Sequence, residues 1–426
     1  MAFLPVIIVF LLYFSGIPIA YALFASSLFY FGVLNTGSPT DLILQKFITS
    51  TQSFPLLAIP FFVMAGSIMN YAGISTKLMS FADVLTGHLP GGLAQVNVLL
   101  SMLMGGVSGS ANADAAMQCK MLVPTMESKG YSKSFSTVIT AASGMVVPLI
   151  PPGVGLIIYG CINNISIGKL FIAGIGPGIV LCVTLMIFTH FLSKKRGYLP
   201  SRTTKIPVSE KIAAVRPAFL PLLLPIIIIG GVRIGVFTAS EAGTVAIVYA
   251  VLLGLLYKEL TLKNVMQGCK ETVTTTASIM LIVAAATCFS WILTKEQIPQ
   301  QFSQWMISNI HNKYVFLIMV NIFLLIVGMF IEGNASMIVL APLLHPVAMA
   351  YGIDDIHFAM VYIFNCTIGA FTPPMGTLMF VSCGITKCPT KDFIKEAVPF
   401  YILFAIDIIV LTYIPQLTTF LVNVFY

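Results

Sequence analysis

Charge is what this chain of 426 residues has least of: Asp, Glu, Lys and Arg make up 9% of it, against about 25% in an ordinary soluble domain. Hydrophobic residues fill 58%. A chain of this size cannot cover itself against water with so little charge. A disordered segment, a nucleic-acid module, a coiled coil or a disulfide-stapled secreted domain would need a more polar or a shorter chain. Cys-x-x-Cys pairs are absent as well. The eight cysteines (119, 161, 182, 269, 288, 366, 383 and 388) lie mostly in apolar runs and read as packing residues. No residue of either charge precedes Asp41, so the apolar start reads as a first membrane segment rather than a cleaved leader. His-Glu-x-x-His, the Walker loop and Gly-x-Ser-x-Gly are all missing, which removes the signatures of zinc proteases, ATP-driven pumps and serine hydrolases. What is left is an all-α polytopic membrane protein.

A helix needs about 20 apolar residues to cross the hydrocarbon core. Runs of that order occupy 3–34 (with a Gly16-Ile17-Pro18 break), 54–72, 170–193, 217–235, 239–257, 272–294 and 397–414. Residues 41–50 and 75–90 are too short or too polar to span and read as interfacial helices. The most basic loop runs from Lys194-Lys195-Arg196 through Arg202 and Lys205 to Lys211, opposed by Glu210 alone. The positive-inside rule makes this 194–211 loop cytoplasmic, and the Lys258/Lys263 loop two spans later falls on the same side. Thr238-Ala-Ser-Glu241 has the form of a capping box, so Glu241 reads as a helix cap.

Two stretches, 92–168 and 314–390, are apolar yet carry Gly, Pro, Ser, Thr and Asn in mid-run. An offset of 222 aligns them without a gap. Asn112-Ala113 falls on Asn334-Ala335, Pro124 on Pro346, Gly130 on Gly352, Pro151-Pro152 on Pro373-Pro374, Phe171-Ile172 on Phe393-Ile394 and Pro177 on Pro399; across 110–177 there are 13 identities. This is an internal repeat. If 92–128 enters the membrane and returns as a re-entrant hairpin, five crossings separate it from a second hairpin at 314–350. The odd count turns the two hairpins to opposite faces, and each is followed by a broken helix, 134–160 and 357–386. Inverted repeats with discontinuous helices are typical of secondary transporters, which bind substrate and coupling ion near the midplane.

The first tip reads Gly105-Gly-Val-Ser108-Gly-Ser110-Ala-Asn112-Ala-Asp114, and the second Glu332-Gly-Asn334-Ala-Ser336. Backbone at membrane depth leaves the helix only where protein or a watery cavity surrounds it. Unwound carbonyls with Ser and Asn oxygens suit a hard cation, and the restarting helix points its positive end at an anion. Asp114 and Glu332 are carboxylates in apolar runs, each either a functional group or an N-terminal cap. The partner halves are Gly144-Met-Val-Val147-Pro148-Leu-Ile-Pro151-Pro152-Gly153 and Gly369-Ala-Phe-Thr372-Pro373-Pro374-Met-Gly376. A mid-membrane Pro-Pro removes two amide donors and frees carbonyls that need a partner, such as sodium. Asp407 reads as a packing or subunit-contact residue, Arg233 as a snorkelling side chain, His345 and His357 as structural, and the scattered methionines as core filler.

Phe54-Pro-Leu-Leu-Ala-Ile-Pro60-Phe-Phe, Gly91-Gly-Leu-Ala-Gln-Val-Asn97, the Gly105–Asp114 tip, Gly235-Val-Phe-Thr-Ala-Ser-Glu-Ala242 and Thr372-Pro-Pro-Met-Gly376 closely resemble the large membrane subunit of tripartite ATP-independent periplasmic (TRAP) transporters. The resemblance covers essentially the whole chain. It implies an elevator-type fold in the bacterial inner membrane and sodium-driven import of an organic-acid anion, of the C4-dicarboxylate or sialic acid type, with two or more Na+ as coupling ions. It further implies a small four-helix membrane subunit and a periplasmic substrate-binding protein as partners. No four-span block precedes residue 1 or follows 426, so the small subunit is expected as a separate chain.

By this resemblance Ser108, Ser110, Asn112, Gly144, Val147 and Pro151 shape one sodium site, and Asn334, Gly369, Thr372 and Gly376 the other. Ser110, Asp114, Glu332 and Gly153 lie near the substrate. Gly153 replaces a common Ser, and Glu332-Gly-Asn334 replaces a common Glu-Pro-Thr. The implied organisation is scaffold at 1–90, first transport repeat at 91–193, cytoplasmic loop and scaffold helices at 194–268, and second repeat with the C-terminal helix at 269–426. Two other readings remain: an autonomous divalent-anion/sodium symporter, which would work without a binding protein, and an intramembrane enzyme using Asp114 and Glu332.

Overall fold

The computed structural model describes residues 4–34, 39–202 and 208–426, without the side chains of 208–214. Lys205 of the basic loop lies outside the described residues, as do the side chains of Glu210 and Lys211. The described chain is helical, with no strand. In order it forms α1 (Leu4–Phe14), α2 (Ile19–Gly32), α3 (Asp41–Thr51), a short 3-10 turn at Phe54–Leu57, α4 (Ala58–Tyr71), α5 (Ile74–Thr86), α6 (Gly92–Ser108), α7 (Ala111–Met121), α8 (Val123–Ser128), α9 (Lys133–Gly144), α10 (Val154–Asn163) and α11 (Ile167–Arg196). There follow α12 (Val208–Arg233), α13 (Ala239–Leu256), α14 (Leu262–Lys295), α15 (Ile298–Asn309), α16 (Lys313–Phe330), α17 (Gly333–Ala350), α18 (Asp355–Phe371), α19 (Thr377–Thr386), α20 (Thr390–Tyr413) and α21 (Gln416–Phe425). Among the described residues seven helices are long and apolar enough to cross a membrane, or eight if α20 and α21, bent by 48°, count as one.

The repeat is carried into the backbone. Adding 222 to Ala111 and Lys133, the first residues of α7 and α9, gives Gly333 and Asp355, the first residues of α17 and α18. Both Pro-Pro bonds, 151–152 and 373–374, are cis. Packing is crosswise: α7 lies on α19 and α17 on α10, α11 on α18 and α20 on α9. That exchange is the mark of a two-fold relation, in which each repeat completes the other. Matching buried amides tie each hairpin arm to its broken helix. Ser143 donates to Asn97 at 2.7 Å, and Asn365 donates to Asn321 at 2.8 Å, with 143 and 365 again 222 apart.

The hairpins open at opposite ends. Gly91 N donates to Tyr198 O at 3.1 Å and Tyr131 Oη to Leu199 O at 3.2 Å, so the mouth of the first hairpin sits against the end of α11. Arg196 of α11 pairs with Glu396 near the start of α20 at 2.5 Å. At the far end of α20, Tyr413 Oη donates to Tyr314 O, at the mouth of the second hairpin. Seventeen residues of α20 separate Glu396 from Tyr413, about 26 Å of helix. The repeats are inverted.

One span differs from the sequence expectation. Residues 3–34 were expected as a single long segment with a break, but α1 and α2 fold back on each other: Ser26 Oγ donates to Pro5 O at 2.7 Å. The cause is Gly16, at φ +89°, with Pro18 two residues on. Helices of 11 and 14 residues are also shorter than the hydrocarbon core requires. Two short helices not anticipated, α15 and α21, fill the ends of the bundle. Arg233 holds α21 by donating from Nε to Phe425 O at 2.8 Å, a cation on the carbonyl end of a helix. His357 fixes α18 against the same region, its Nδ1 3.0 Å from Thr418 Oγ1 and its Nε2 3.1 Å from Thr412 O. Asp407 is buried and accepts from Thr184 of α11 at 3.0 Å, a packing role within the chain. Thr238 and Glu241 form the full capping box of α13.

The arm α16 meets α18 backbone to backbone. A Cβ on Gly328 would stand 2.9 Å from Gly369 Cα, and one on Gly369 would stand 2.6 Å from Gly328 Cα. Small residues permit such close approach between membrane helices. Gly328→Ala is expected to destabilise the detergent-solubilised chain by about 1–3 kcal/mol through overpacking. Gly384→Ala, at a helical site with open space around it, should stabilise by about 0.5–1 kcal/mol. Thermal midpoints of the two variants check the opposite signs.

Candidate functional site

The first tip is made by one residue of left-handed backbone. Gly109, at φ +62°, ends α6; the extended Ser110 then caps α7, accepting from Ala113 N at 3.4 Å. A Cβ on Gly109 would lie 2.6 Å from Pro152 O, so the tip sits directly on the first Pro-Pro. In the second tip, extended Ile331 leads to Glu332, which caps α17: its carboxylate accepts from Ala335 N at 3.1 Å and from Asn334 Nδ2 at 2.9 Å. At the second break Thr372 turns its hydroxyl back to Ile368 O at 2.8 Å, and Gly376 caps α19.

These four interruptions converge on one cavity of about 310 Å³. The first tip contributes Ser108 to Ala113, the second Glu332 to Asn334, and the broken helices contribute Pro148, Val154, Gly155, Ala370 and Thr377. The N-terminal ends of α7, α10, α17 and α19 therefore all reach it. The remaining wall belongs to α4 and α14, through Gly66, Ser67, Asn70, Glu271 and Thr275 among others. Gly66 brings α4 onto the first tip; a Cβ there would stand 3.0 Å from Ser108 O.

Of the residues singled out from sequence, Ser108, Ser110, Asn112, Glu332 and Asn334 line the cavity. Gly144, Val147, Pro151, Gly153, Gly369, Thr372 and Gly376 form the breaks behind its wall. Gly144 lies against α7, its Cβ position 3.3 Å from Ala111 O, and Gly153 caps α10. Asp114 does not line the cavity and does not cap α7. Its buried carboxylate accepts from Ser101 at 2.8 Å and Gln118 at 2.7 Å, tying α7 to α6. Asn70, Ser67, Glu271 and Thr275 were not singled out. Their signal was polar residues three or four apart at the ends of otherwise apolar spans.

The electrostatics of the cavity are one-sided. Glu332 and Glu271 line it and no Lys or Arg does; Glu271 accepts from Tyr71 at 2.5 Å and from Gln267 at 3.2 Å. Ser108 Oγ, Asn112 Oδ1 and Asn70 Oδ1 are buried oxygens with no hydrogen-bond partner among the described residues. A buried oxygen without a donor costs free energy, and a cation relieves it. No group of three or more His, Cys, Asp or Glu comes together among the described residues. The donors present are hydroxyl, amide and backbone oxygens, which suit a hard ion rather than a transition metal. Among the described residues, four helix N-termini supply the fixed positive potential there for an anion.

The family profile described as tripartite ATP-independent periplasmic transporter, DctM component, matches residues 6–417. This chain belongs to that family. It is 39% identical to the sialic acid TRAP transporter large permease protein SiaM of Vibrio cholerae, over 97% of this chain and 96% of that one. It is 36% identical to the C4-dicarboxylate TRAP transporter large permease protein DctM of Pseudomonas aeruginosa, over 92% and 91% of the two chains. The sialic acid TRAP transporter permease protein SiaT of Haemophilus influenzae is 36% identical, and 66% of its length is covered. Among solved structures, the YdaH transporter of Alcanivorax borkumensis aligns with a TM-score of 0.64 over 93% of this chain and 96% of that one, at 14% identity. That likeness concerns the fold, which is now that of a TRAP large permease.

Capping and binding can be separated at Glu332. Glu332→Ala removes the acceptor of Ala335 N and should cost about 1 kcal/mol of stability. Glu332→Gln keeps an acceptor oxygen and should lower the thermal midpoint less than Glu332→Ala does while still altering uptake. Equal loss of stability in both variants would show that the charge itself holds the tip.

Proposed function

We propose that this TRAP large permease imports an organic-acid anion, of the sialic acid or C4-dicarboxylate type, in symport with two or more sodium ions. A small membrane subunit and a periplasmic substrate-binding protein are its partners in the bacterial inner membrane. The observation that carries the reading is the single cavity in which two tips and two helix breaks meet, with unpartnered Ser108 and Asn112 oxygens and four helix N-termini. The oxygens supply cation ligands, and the N-termini with the bound ions supply the countercharge for an anion. The names of the relatives support the substrate class. Transport is the function of the named relatives, and the symmetric tips suit ion binding better than acid–base chemistry between Asp114 and Glu332.

We further propose alternating access by an elevator movement, a reading the packing supports. We take α6–α11 and α16–α20 as a block that moves, and α1–α5 with α12 and α13 as the scaffold that holds it; α14, expected from sequence within the second repeat at 269–426, packs on α2, α3 and α4 and is assigned to the scaffold instead. With the 194–211 loop cytoplasmic, the junction of α13 and α14 is cytoplasmic too, since Lys77 of α5 stacks over Tyr257 at 3.9 Å and Asp83 of the same helix binds Arg202 at 2.6 Å. The cavity meets α14 at Glu271, Thr275 and Ile279, on its cytoplasmic half. On this reading the block stands on the inward side of its stroke.

Reconstitution of the chain with its small subunit and binding protein tests this, with radiolabelled sialic acid and succinate as probes. Uptake should require an inward sodium gradient. Ser108→Ala and Asn112→Ala should raise the half-saturating sodium concentration roughly tenfold, the scale of one contact to a charge. Asn334→Ala should abolish sodium-dependent uptake, whereas Asp114→Ala, which removes the tie of α7 to Ser101 and Gln118, should lower the thermal midpoint together with the uptake rate. Wild-type uptake without a sodium gradient would overturn the coupling, and uptake by this chain without a binding protein would favour the autonomous symporter.

A further inference from the structure

A second cleft, of about 390 Å³, lies farther along α14 and has the opposite electrostatic character. Among the described residues its one charged lining residue is Lys46 of α3, with no carboxylate in the lining. Lys46 is half-buried and makes no ion pair among the described residues. The helix that carries it is anchored across α14, where Cys288 Sγ donates to Ile43 O at 3.4 Å. Ser53 and Ser290 also line the cleft, and their hydroxyls make no hydrogen bond among the described residues. Trp291 forms an apolar wall, stacked on Phe31 at 5.3 Å. The opposite wall comes from α10 and α17, the helices that restart beyond the first break and the second tip. The cleft thus lies between the same two groups of helices as the tip cavity.

The two cavities share one stripe of α14. Thr275 and Ile279 line the first, and Val283, Ala286, Ser290 and Thr294 the second, in steps of three and four residues that keep to one face of a helix. From Thr275 to Ser290 the rise is about 22 Å. We propose that the Lys46 cleft is a second anion-binding site, which takes the carboxylate of the transported organic acid on the periplasmic side before it reaches the tips. The inference rests on the transport reading for its ligand. The ammonium and two uncommitted hydroxyls supply donors to a carboxylate, and Trp291 packs against the carbon skeleton. A lipid phosphate shares the anionic chemistry, so the test must separate the two sources.

The chain has two tryptophans, Trp291 and Trp305. Trp305→Phe leaves Trp291 as the sole emitter, beside the proposed ligand. The full-length variant in phosphatidylcholine nanodiscs is titrated with succinate and with sialic acid at constant ionic strength. A saturable change in Trp291 emission is expected with at least one acid. Lys46→Gln should raise its midpoint about tenfold or more, the scale of a lost hydrogen bond to a charged group, and Lys46→Arg should recover most of that loss. Ser53→Ala should weaken binding by a smaller factor. No response to either acid, or an unchanged midpoint in Lys46→Gln, overturns the site. If phosphatidylglycerol in the disc reproduces the change and blocks the acids, the cleft belongs to lipid and the proposal falls. Uptake in proteoliposomes decides the transport reading separately: a chain that moves neither acid but keeps a Lys46-dependent midpoint defeats that reading and leaves the site standing.

Discussion

The constraint on which this structure depends is that every backbone group within the membrane must find a partner inside the protein. Four helices stop and restart at depth, and the partners can be named. Ser110 and Glu332 cap α7 and α17 with their own side chains. Gly109 O accepts from Val154 N, Thr372 N donates to Gly369 O, and Tyr13 reaches from α1 to Phe330 O at the end of α16. Donors are the scarce component, because each Pro-Pro removes two amide N–H groups while keeping their carbonyls. The surplus is therefore of oxygen. An interior rich in acceptors and poor in donors favours a cation over an anion.

The two-fold exchange between repeats decides where that surplus gathers. Were each hairpin packed only on its own broken helix, there would be two half-sites far apart. Instead α7 rests on α19 and α17 on α10, so each tip lies among the restarting ends of both repeats. The same crossing makes the eleven helices α6–α11 and α16–α20 a cohesive unit, since neither repeat can leave without opening the other. Contacts to α4 and α14 are of another kind. They bring the Gly66 backbone against the Ser108 carbonyl and Phe62 of α4 edge-on to Phe171 of α11, without the exchange of elements that joins the two repeats.

How much of this is legible in the sequence follows from which signals survive without an alignment. The offset of 222 is carried by Pro, Gly and Asn, residues with positional meaning, and it locates both tips and both breaks to within a residue or two. The inversion follows from counting crossings. What escapes is whatever depends on how a side chain turns. Asp114 and Glu332 are equivalent as intramembrane carboxylates, yet Ser110 takes the cap in one tip, and Asp114 turns back to Ser101 and Gln118. In the other, Glu332 is the cap and lines the cavity. The fold-back of α1 on α2 hides inside an uninterrupted apolar run. Asn70 and Glu271 stand at span ends, where polar residues usually only face water.

The charges along α14 bear on how a leak is avoided. On the sodium-coupled reading, an anion arriving at the tips meets two carboxylates and no basic side chain. Helix N-termini offset part of that repulsion, each worth no more than about half a unit charge. Without cations on the Ser108 and Asn112 oxygens the anion is disfavoured, and with them it is held; the wrong sign of the side chains thereby makes anion binding conditional on sodium. A lysine at the tips would bind the anion unconditionally and break that dependence. Attraction of the substrate must then be exerted elsewhere, at a distance large enough not to neutralise the tips. Lys46 stands some four turns of α14 away (about 22 Å), where the interaction between unit charges has fallen to a fraction of its value at contact. Separation of the attracting cation from the coupling oxygens lets one helix face serve both tasks.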